Sequence, residues 1–244
     1  MSLVLLAGLS ACTAPQPGAE FNDPFEDTNR SVHAFNKQLD TAVLRPAGQA
    51  TAALPMEIRE PVANFADNIS LPGMIVNGAL QGDIGGASTN TMRLFVNTIV
   101  GIGGLFDPAS AIGLEEESTD FGETLHVWGV QEGAFIELPG YGPSTERDAA
   151  GKIVDLVIDP LSRFGHPDVS TAATGAKVAD LAISRGEFGD TIDSVLYDSA
   201  DSYAQSRLLY LQNRRFELGD TSVDTQLETN AIDPFADLDL DLFE

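Results

Sequence analysis

Leu94-Phe95-Val96-Asn97-Thr98-Ile99-Val100-Gly101-Ile102-Gly103-Gly104-Leu105-Phe106 carries no charged side chain and two polar ones. The run is too short to cross a bilayer as a helix, which takes roughly 20 residues. It is also more apolar than a helix that hides only one face. Two readings fit: a helix buried all round in a core, or a segment lying in a lipid interface. The same character extends upstream through Leu71-Pro72-Gly73-Met74-Ile75-Val76-Asn77-Gly78-Ala79-Leu80-Gln81-Gly82 and Gly85-Gly86. Residues 71–114 therefore decide the fold.

Towards the N-terminus stands a second apolar run, Leu3-Val4-Leu5-Leu6-Ala7-Gly8-Leu9, which fits the apolar region of a signal peptide over residues 1–11. Leu9-Ser10-Ala11-Cys12 resembles a bacterial lipobox, in which the cysteine is acylated and becomes the new N-terminus. Cys12 is the only cysteine in the chain. No Lys or Arg precedes the run, so the expected true start lies upstream of the first residue. A diacylglyceryl group plus an amide-linked chain anchors firmly, because each buried methylene contributes about 0.8 kcal/mol. Thr13 in place of Asp after the cysteine points to the outer rather than the inner membrane. Residues 12–21, with Pro15, Pro17 and Gly18, read as a lipidated tether. An anchor on the same chain tilts the reading of residues 94–106 towards the interface.

The body of the chain, residues 22–217, reads as helical. Asp27-Thr28 offers an N-cap for a helix with Val32, Phe35 and Leu39 on one face, and Pro46 ends it. Pro55 opens the next segment and Pro61 a further turn or helix with Val62, Phe65 and Ile69. Residues 122–141 read as loop or briefly extended. Ser144 caps a helix with Ile153, Val154, Leu156, Val157 and Leu161 as its stripe. Further helices are expected over 171–184 and over 191–216, the latter interrupted near Asp198 and capped by Gly219. Residues 218–244 hold no Lys or Arg, and Asp237-Leu238-Asp239-Leu240-Asp241-Leu242 alternates acid with leucine. Repulsion between the acids favours a disordered tail.

Composition removes several function classes. Net charge is −24 with a pI near 4.1, which excludes a phosphate-backbone binder and a polybasic membrane patch. One cysteine forbids internal disulfides and cysteine-cluster metal sites. His33, His126 and His166 have no metal-ligand spacing and read as structural or surface residues. Asp120-Phe121-Gly122 spells the kinase metal triplet, but no Gly-rich loop, strand lysine or His-Arg-Asp loop accompanies it. Gly142-Pro143-Ser144 is not a nucleophile elbow, and no phosphate-binding loop is present. Nothing in these residues supports an enzyme.

Several motifs, taken in order, carry a family resemblance. Asn22-Asp23-Pro24-Phe25-Glu26-Asp27-Thr28-Asn29-Arg30, Phe35-Asn36 and Leu39-Asp40 resemble the opening signature of the MlaA (VacJ) lipoproteins. The likeness continues through Arg93-Leu94-Phe95-Val96-Asn97-Thr98, Gly101 to Asp107, Asp120 to Leu125, Trp128-Gly129-Val130 and Gly142 to Asp148. It thins towards Tyr203, Arg207, Tyr210 and Arg214-Arg215. Thr51 stands where an aromatic is usual and Glu123 where Gln is usual.

The resemblance implies an all-α ring of amphipathic and interfacial helices around a central channel, with few or no strands. It implies a lipoprotein in the inner leaflet of a Gram-negative outer membrane, on the periplasmic side. Such a protein removes phospholipid misplaced in the outer leaflet and hands it to a periplasmic carrier, MlaC, beside a trimeric porin. Lipid asymmetry is thereby maintained. Its only non-protein components are the lipid on Cys12 and the transported phospholipid, and no nucleic acid is involved. Phe35, Asn36, Asn97, Gly101, Gly103 and Gly104 are the candidate channel or hinge residues. Gly101 to Gly104 are expected either to hinge near the channel or simply to terminate a helix, and Phe35-Asn36 to pack against them. A rival reading from another class is a lipoprotein that scaffolds a porin or envelope complex without moving lipid.

Overall fold

A computed structural model of the chain describes residues 21–158 and 167–219; Cys12, its tether, His166 and the acidic tail lie outside the described residues. Helix α1 (Glu26–Leu39) starts ahead of the expected Asp27-Thr28 cap. Phe25 is its N-cap and supplies no side-chain acceptor; Glu26 and Asp27 face the helix dipole from the first turn instead. Pro46 does not end the helix. The chain runs on through a π-turn, Asp40–Leu44, into α2 (Arg45–Ala52), where Pro46 falls in the first turn and its missing N–H is harmless. Pro55 caps α3 (Met56–Gln81) as expected, but Pro61 and Pro72 lie inside this one helix rather than opening another.

Helix α4 (Ile84–Ile99) is capped by Asp83, which accepts from Gly86 N at 3.0 Å. A short α5 (Pro108–Ala111) and α6 (Phe121–Val127) follow. The first part of the expected loop over 122–141 is therefore helical, because Asp120 caps α6 by accepting from Glu123 N at 2.8 Å. The extended part is real: β1 (Phe135–Leu138) pairs antiparallel with β2 (Gly142–Thr145), Phe135 opposite Thr145 and Leu138 opposite Gly142. Ser144 lies in β2, and Thr145 caps α7 (Glu146–Ile158) by accepting from Asp148 N at 3.2 Å. Helix α8 (Pro167–Glu187) is longer than expected. The expected break near Asp198 separates α9 (Gly189–Leu196) from α10 (Ser202–Glu217), and Gly219, at φ +70°, follows the last turn.

The packing closes a circuit. Helix α1 lies on β1, β2 on α7, α7 along α6, α6 on α3 and α3 on α8; α8 lies along α2, which returns through the π-turn to α1. Two joints of this ring are glycine-on-glycine approaches. A Cβ on Gly186 of α8 would stand 2.3 Å from the Gly48 carbonyl of α2, and one on Gly151 of α7 would stand 2.3 Å from Gly122 N of α6. Helix α10 crosses one side as a strap, with Tyr203 and Leu211 packed on Phe135. No described helix is long and apolar enough to cross a membrane.

The ring is inside-out by the standard of a water-soluble fold. The buried face of α4 is Asn90, Arg93 and Asn97, while Met92, Phe95 and Ile99 point outward at 54, 62 and 68% exposure. The apolar run at 94–106 is thus not a core helix, and that reading is overturned: Val100 and Ile102 are each 66% exposed. Helix α1 repeats the pattern. Asn29 and His33 are buried, and Phe35, on the face expected to pack, is exposed.

Candidate functional site

Between α1, the hairpin, α8 and α9 lies a cavity of about 400 Å³. Asn36, Asp40, Glu137 and Arg185 form its polar wall, and Leu39, Leu181, Phe188 and Ile192 its apolar one. Spacing on α1 builds the polar side. Asn29, His33 and Asn36 recur at helical intervals and meet the free edge of β1. Asn29 donates from Nδ2 to Phe135 O at 3.1 Å and accepts from Glu137 N at 2.9 Å. Asn36 donates to Leu138 O at 3.0 Å and accepts from Gly140 N at 2.7 Å. A helix side thereby satisfies a strand edge, and backbone that would be orphaned in an apolar setting is paired.

Glu137 projects from β1 with a side chain only 1% exposed. Its Oε1 accepts from Asn36 Nδ2 at 3.1 Å and lies 3.3 Å from His33 Nδ1; its Oε2 has no hydrogen-bond partner among the described residues. His33 Nε2 lies 3.0 Å from Ser202 Oγ, so a neutral ring that donates at Nδ1 and accepts at Nε2 satisfies both contacts. Deeper in the wall Arg185 donates to both oxygens of Asp40 and, at 2.5 Å, to Asp193. Arg45 reaches Asp193 at 2.6 Å, and Tyr197 donates to Asp40 Oδ2 at 2.8 Å. The bond to Asp40, with Asp193 beside it, holds the Arg185 guanidinium above its ordinary range against the opposing effect of burial. Burial pushes Asp193 up, but the hydrogen bonds from Arg185 and Arg45 outweigh it and hold the carboxyl below its usual value.

Of the expected site residues, only Asn36 lines this cavity. Phe35 points away at 53% exposure. The expectation that Phe35-Asn36 packs on Gly101 to Gly104 is not met for Asn36, whose partners belong to the hairpin. Asn97 sits beneath the loop after α4. It donates to Asp107 Oδ1 at 2.8 Å and accepts from Ala109 N at 3.0 Å, which fixes α5 in place. Arg93 donates to Asp107, to Ser110 Oγ and to the Leu114 carbonyl, and Asn90 pairs with both backbone groups of Glu117. The buried polar face of α4 is thus an anchor for residues 107–117.

The glycines terminate α4. Gly103 and Gly104 adopt φ +74° and +92°, and Gly104 N donates to Asn97 O at 2.9 Å. Between them and Gly101, Ile102 holds φ +56°, a conformation that a β-branched residue adopts only under constraint. Its side chain forms the exposed tip of the loop.

Sequence reasoning missed His33, Asp40, Glu137 and Arg185 as one wall. The signal for half of it was legible: Asn29, His33, Asn36 and Asp40 form a polar stripe along one side of α1 and its continuation. Nothing local marked the partners, which lie about a hundred or more residues away.

A closed circuit of helices and one hairpin, with a polar inner face, an apolar outer face and an amphipathic cavity, defines a class: a helical ring. A family described as MlaA lipoprotein matches residues 21–217, and the chain belongs to that family. It is 31% identical over 236 residues to the "Intermembrane phospholipid transport system lipoprotein MlaA" of Escherichia coli (strain K12), across 95% of this chain and 91% of that one. The protein of the same description from Haemophilus influenzae is 30% identical, across 90% of this chain and 88% of its own length. A solved structure presented as "Structural basis for maintenance of bacterial outer membrane lipid asymmetry" superposes with a TM-score of 0.68 at 34% identity, covering 80% of this chain and 98% of that one. The two curated relatives are named as lipoproteins of an intermembrane phospholipid transport system.

Proposed function

We propose that this chain maintains outer-membrane lipid asymmetry by drawing misplaced phospholipid from the outer leaflet through the ring and passing it to a periplasmic carrier. The supporting observation is the inverted distribution of polarity. Phe95, Ile99, Val100 and Ile102 stand exposed beside one another, and each such side chain gains about 1.5–3 kcal/mol on leaving water. The inner leaflet of the outer membrane offers that environment, and Cys12, once acylated, holds the ring there beside a trimeric porin. The cavity supplies what bare hydrocarbon lacks: Asn36, Asp40 and Arg185 line a polar track for a headgroup, while Leu181 and Phe188 accommodate acyl chains. Moving a charged headgroup through unaided hydrocarbon is steeply unfavourable. No bond is made or broken.

Complementation tests this reading. Cells lacking the gene are expected to accumulate outer-leaflet phospholipid and become detergent-sensitive, and the chain is expected to reverse both. A cavity filled by Ser184→Trp is expected to leave the protein in place and abolish the reversal. A filled-cavity variant that fully restores asymmetry would leave a scaffold that moves no lipid as the better account.

A further inference from the structure

We infer that the Glu137 carboxylate receives the primary ammonium group of a phospholipid, so that the cavity prefers ethanolamine headgroups to glycerol ones. This rests on the passage proposed above and names the chemistry of its cargo. Among the described carboxylates of the cavity wall, one has an oxygen left unmet. Asp40 and Asp193 are both taken up by Arg185, with Arg45 and Tyr197 as further donors. Glu137 lines the cavity; one of its oxygens is engaged by Asn36 and His33, and its Oε2 is buried with no donor among the described residues. A buried acceptor left unmet is costly, and for a carboxylate an ammonium answers both the hydrogen bond and the charge. A glycerol hydroxyl answers only the first. Lys37 also lines the cavity, lies 5.2 Å over the Tyr197 ring and has no carboxylate partner among the described residues. The cavity therefore holds a cation for the phosphodiester as well as an anion for the ammonium. Leu39, Leu181 and Ile192 are left for the chains.

The full-length protein in mild detergent is equilibrated with vesicles of equal phosphatidylethanolamine and phosphatidylglycerol, and the bound lipid is weighed by mass spectrometry. Wild type is expected to enrich the ethanolamine lipid about tenfold, the scale of one charge-assisted hydrogen bond. Glu137→Gln keeps the side-chain volume and is expected to bring the ratio close to one. A second arm needs no variant: in wild type, phosphatidylcholine, which keeps the charge but has no N–H, is expected to compete poorly with phosphatidylethanolamine. Headgroup-blind binding by wild type, or unchanged enrichment in Glu137→Gln, overturns the inference and leaves the passage standing. Recovery of no phospholipid at all overturns both.

Discussion

Arg185 of α8 grips Asp40 of the π-turn through two parallel bonds, Nε to Oδ1 at 2.7 Å and Nη2 to Oδ2 at 2.9 Å, with side chains only 6 and 7% exposed. The pair joins segments 145 positions apart and closes the ring beside the Gly48–Gly186 approach. It also gives the π-turn a purpose: the extra residue in the turn sets Asp40 where α8 passes. Planar, two-point geometry of this kind suits Arg and not Lys.

Removing one partner leaves the other charged and buried. Arg185→Met, which leaves Asp40 with Tyr197 alone, is expected to cost about 3–5 kcal/mol, whereas the double change Asp40→Leu with Arg185→Met is expected to recover most of that loss. Urea denaturation followed by fluorescence of Trp128, the sole tryptophan, measures both. A single variant as stable as wild type would show that the pair contributes little to closing the ring.

Two neighbouring glycines separate backbone conformation from space. Gly103 and Gly104 both hold positive φ, but a Cβ on Gly103 meets nothing within 4 Å, while one on Gly104 would stand 2.5 Å from Asn68 Nδ2. Gly103→Ala is expected to cost about 1 kcal/mol, the penalty of the left-handed region. Gly104→Ala is expected to cost well over twice that and to expose the loop at 100–107 to protease, read by limited proteolysis. Equal effects would mean that contact with Asn68 is unimportant.

Acid is expected to act in opposite senses at two carboxyls. Burial pushes Asp148 up, but Tyr210, Arg214 and Arg147 outweigh it and hold the group below its usual range. A carboxyl depressed in the fold contributes stability above its unfolded value, near 3.9, and loses it as pH falls towards its folded value. Burial raises Glu116, reinforced by Asp67 and Asp107 and only partly offset by Arg93. Its contribution is present below its unfolded value, near 4.3, and is lost as pH rises through the folded one. Thermal unfolding against pH is therefore expected to show Asp148→Asn destabilised at pH 7 and less sensitive than wild type to acid below pH 4. Glu116→Gln is expected to be more stable than wild type at pH 7, with the gain fading in acid. Parallel curves for all three proteins would contradict both assignments.

The outward face of α4 can be tested without touching the ring's interior. In a Cys12→Ala background, which removes the proposed anchor, Phe95→Ser and Ile99→Ser are expected to lower partition into phospholipid vesicles about tenfold or more each. Thermal stability in detergent is expected to stay within about 0.5 kcal/mol of the parent, since neither side chain packs inside. Sedimentation with sucrose-loaded vesicles reads the partition. Undiminished binding would place the lipid contact elsewhere on the molecule.

Helix positions were largely legible because each is written locally. Pro55 and Gly219 mark ends through chemistry that acts within a few residues. The misreadings were also local in origin. Pro46 was read as a stop, yet a proline in a first turn breaks no hydrogen bond. Helix α6 was missed because its seven residues are too few for a periodic signal, and only the Asp120 cap announces it. Asn97, a channel or hinge candidate by resemblance, is bonded to Asp107 and Ala109 and seats the turn that follows α4, a role no local pattern announced.

The order of residues alone carried a resemblance to a lipobox at Cys12, a helical chain, a family likeness, and an apolar stretch that no ordinary soluble helix needs. It also established that α1 and α4 have one polar and one apolar side. Which side faces inward lay beyond it, because periodicity distinguishes two faces without naming the medium each one meets. That choice was made by partners remote in the chain. The edge of β1 receives Asn29 and Asn36, Arg185 receives Asp40, and the loop after α4 occupies Asn90, Arg93 and Asn97. Once those polar groups are satisfied within the ring, Phe35, Phe95 and Ile99 are left on the outside.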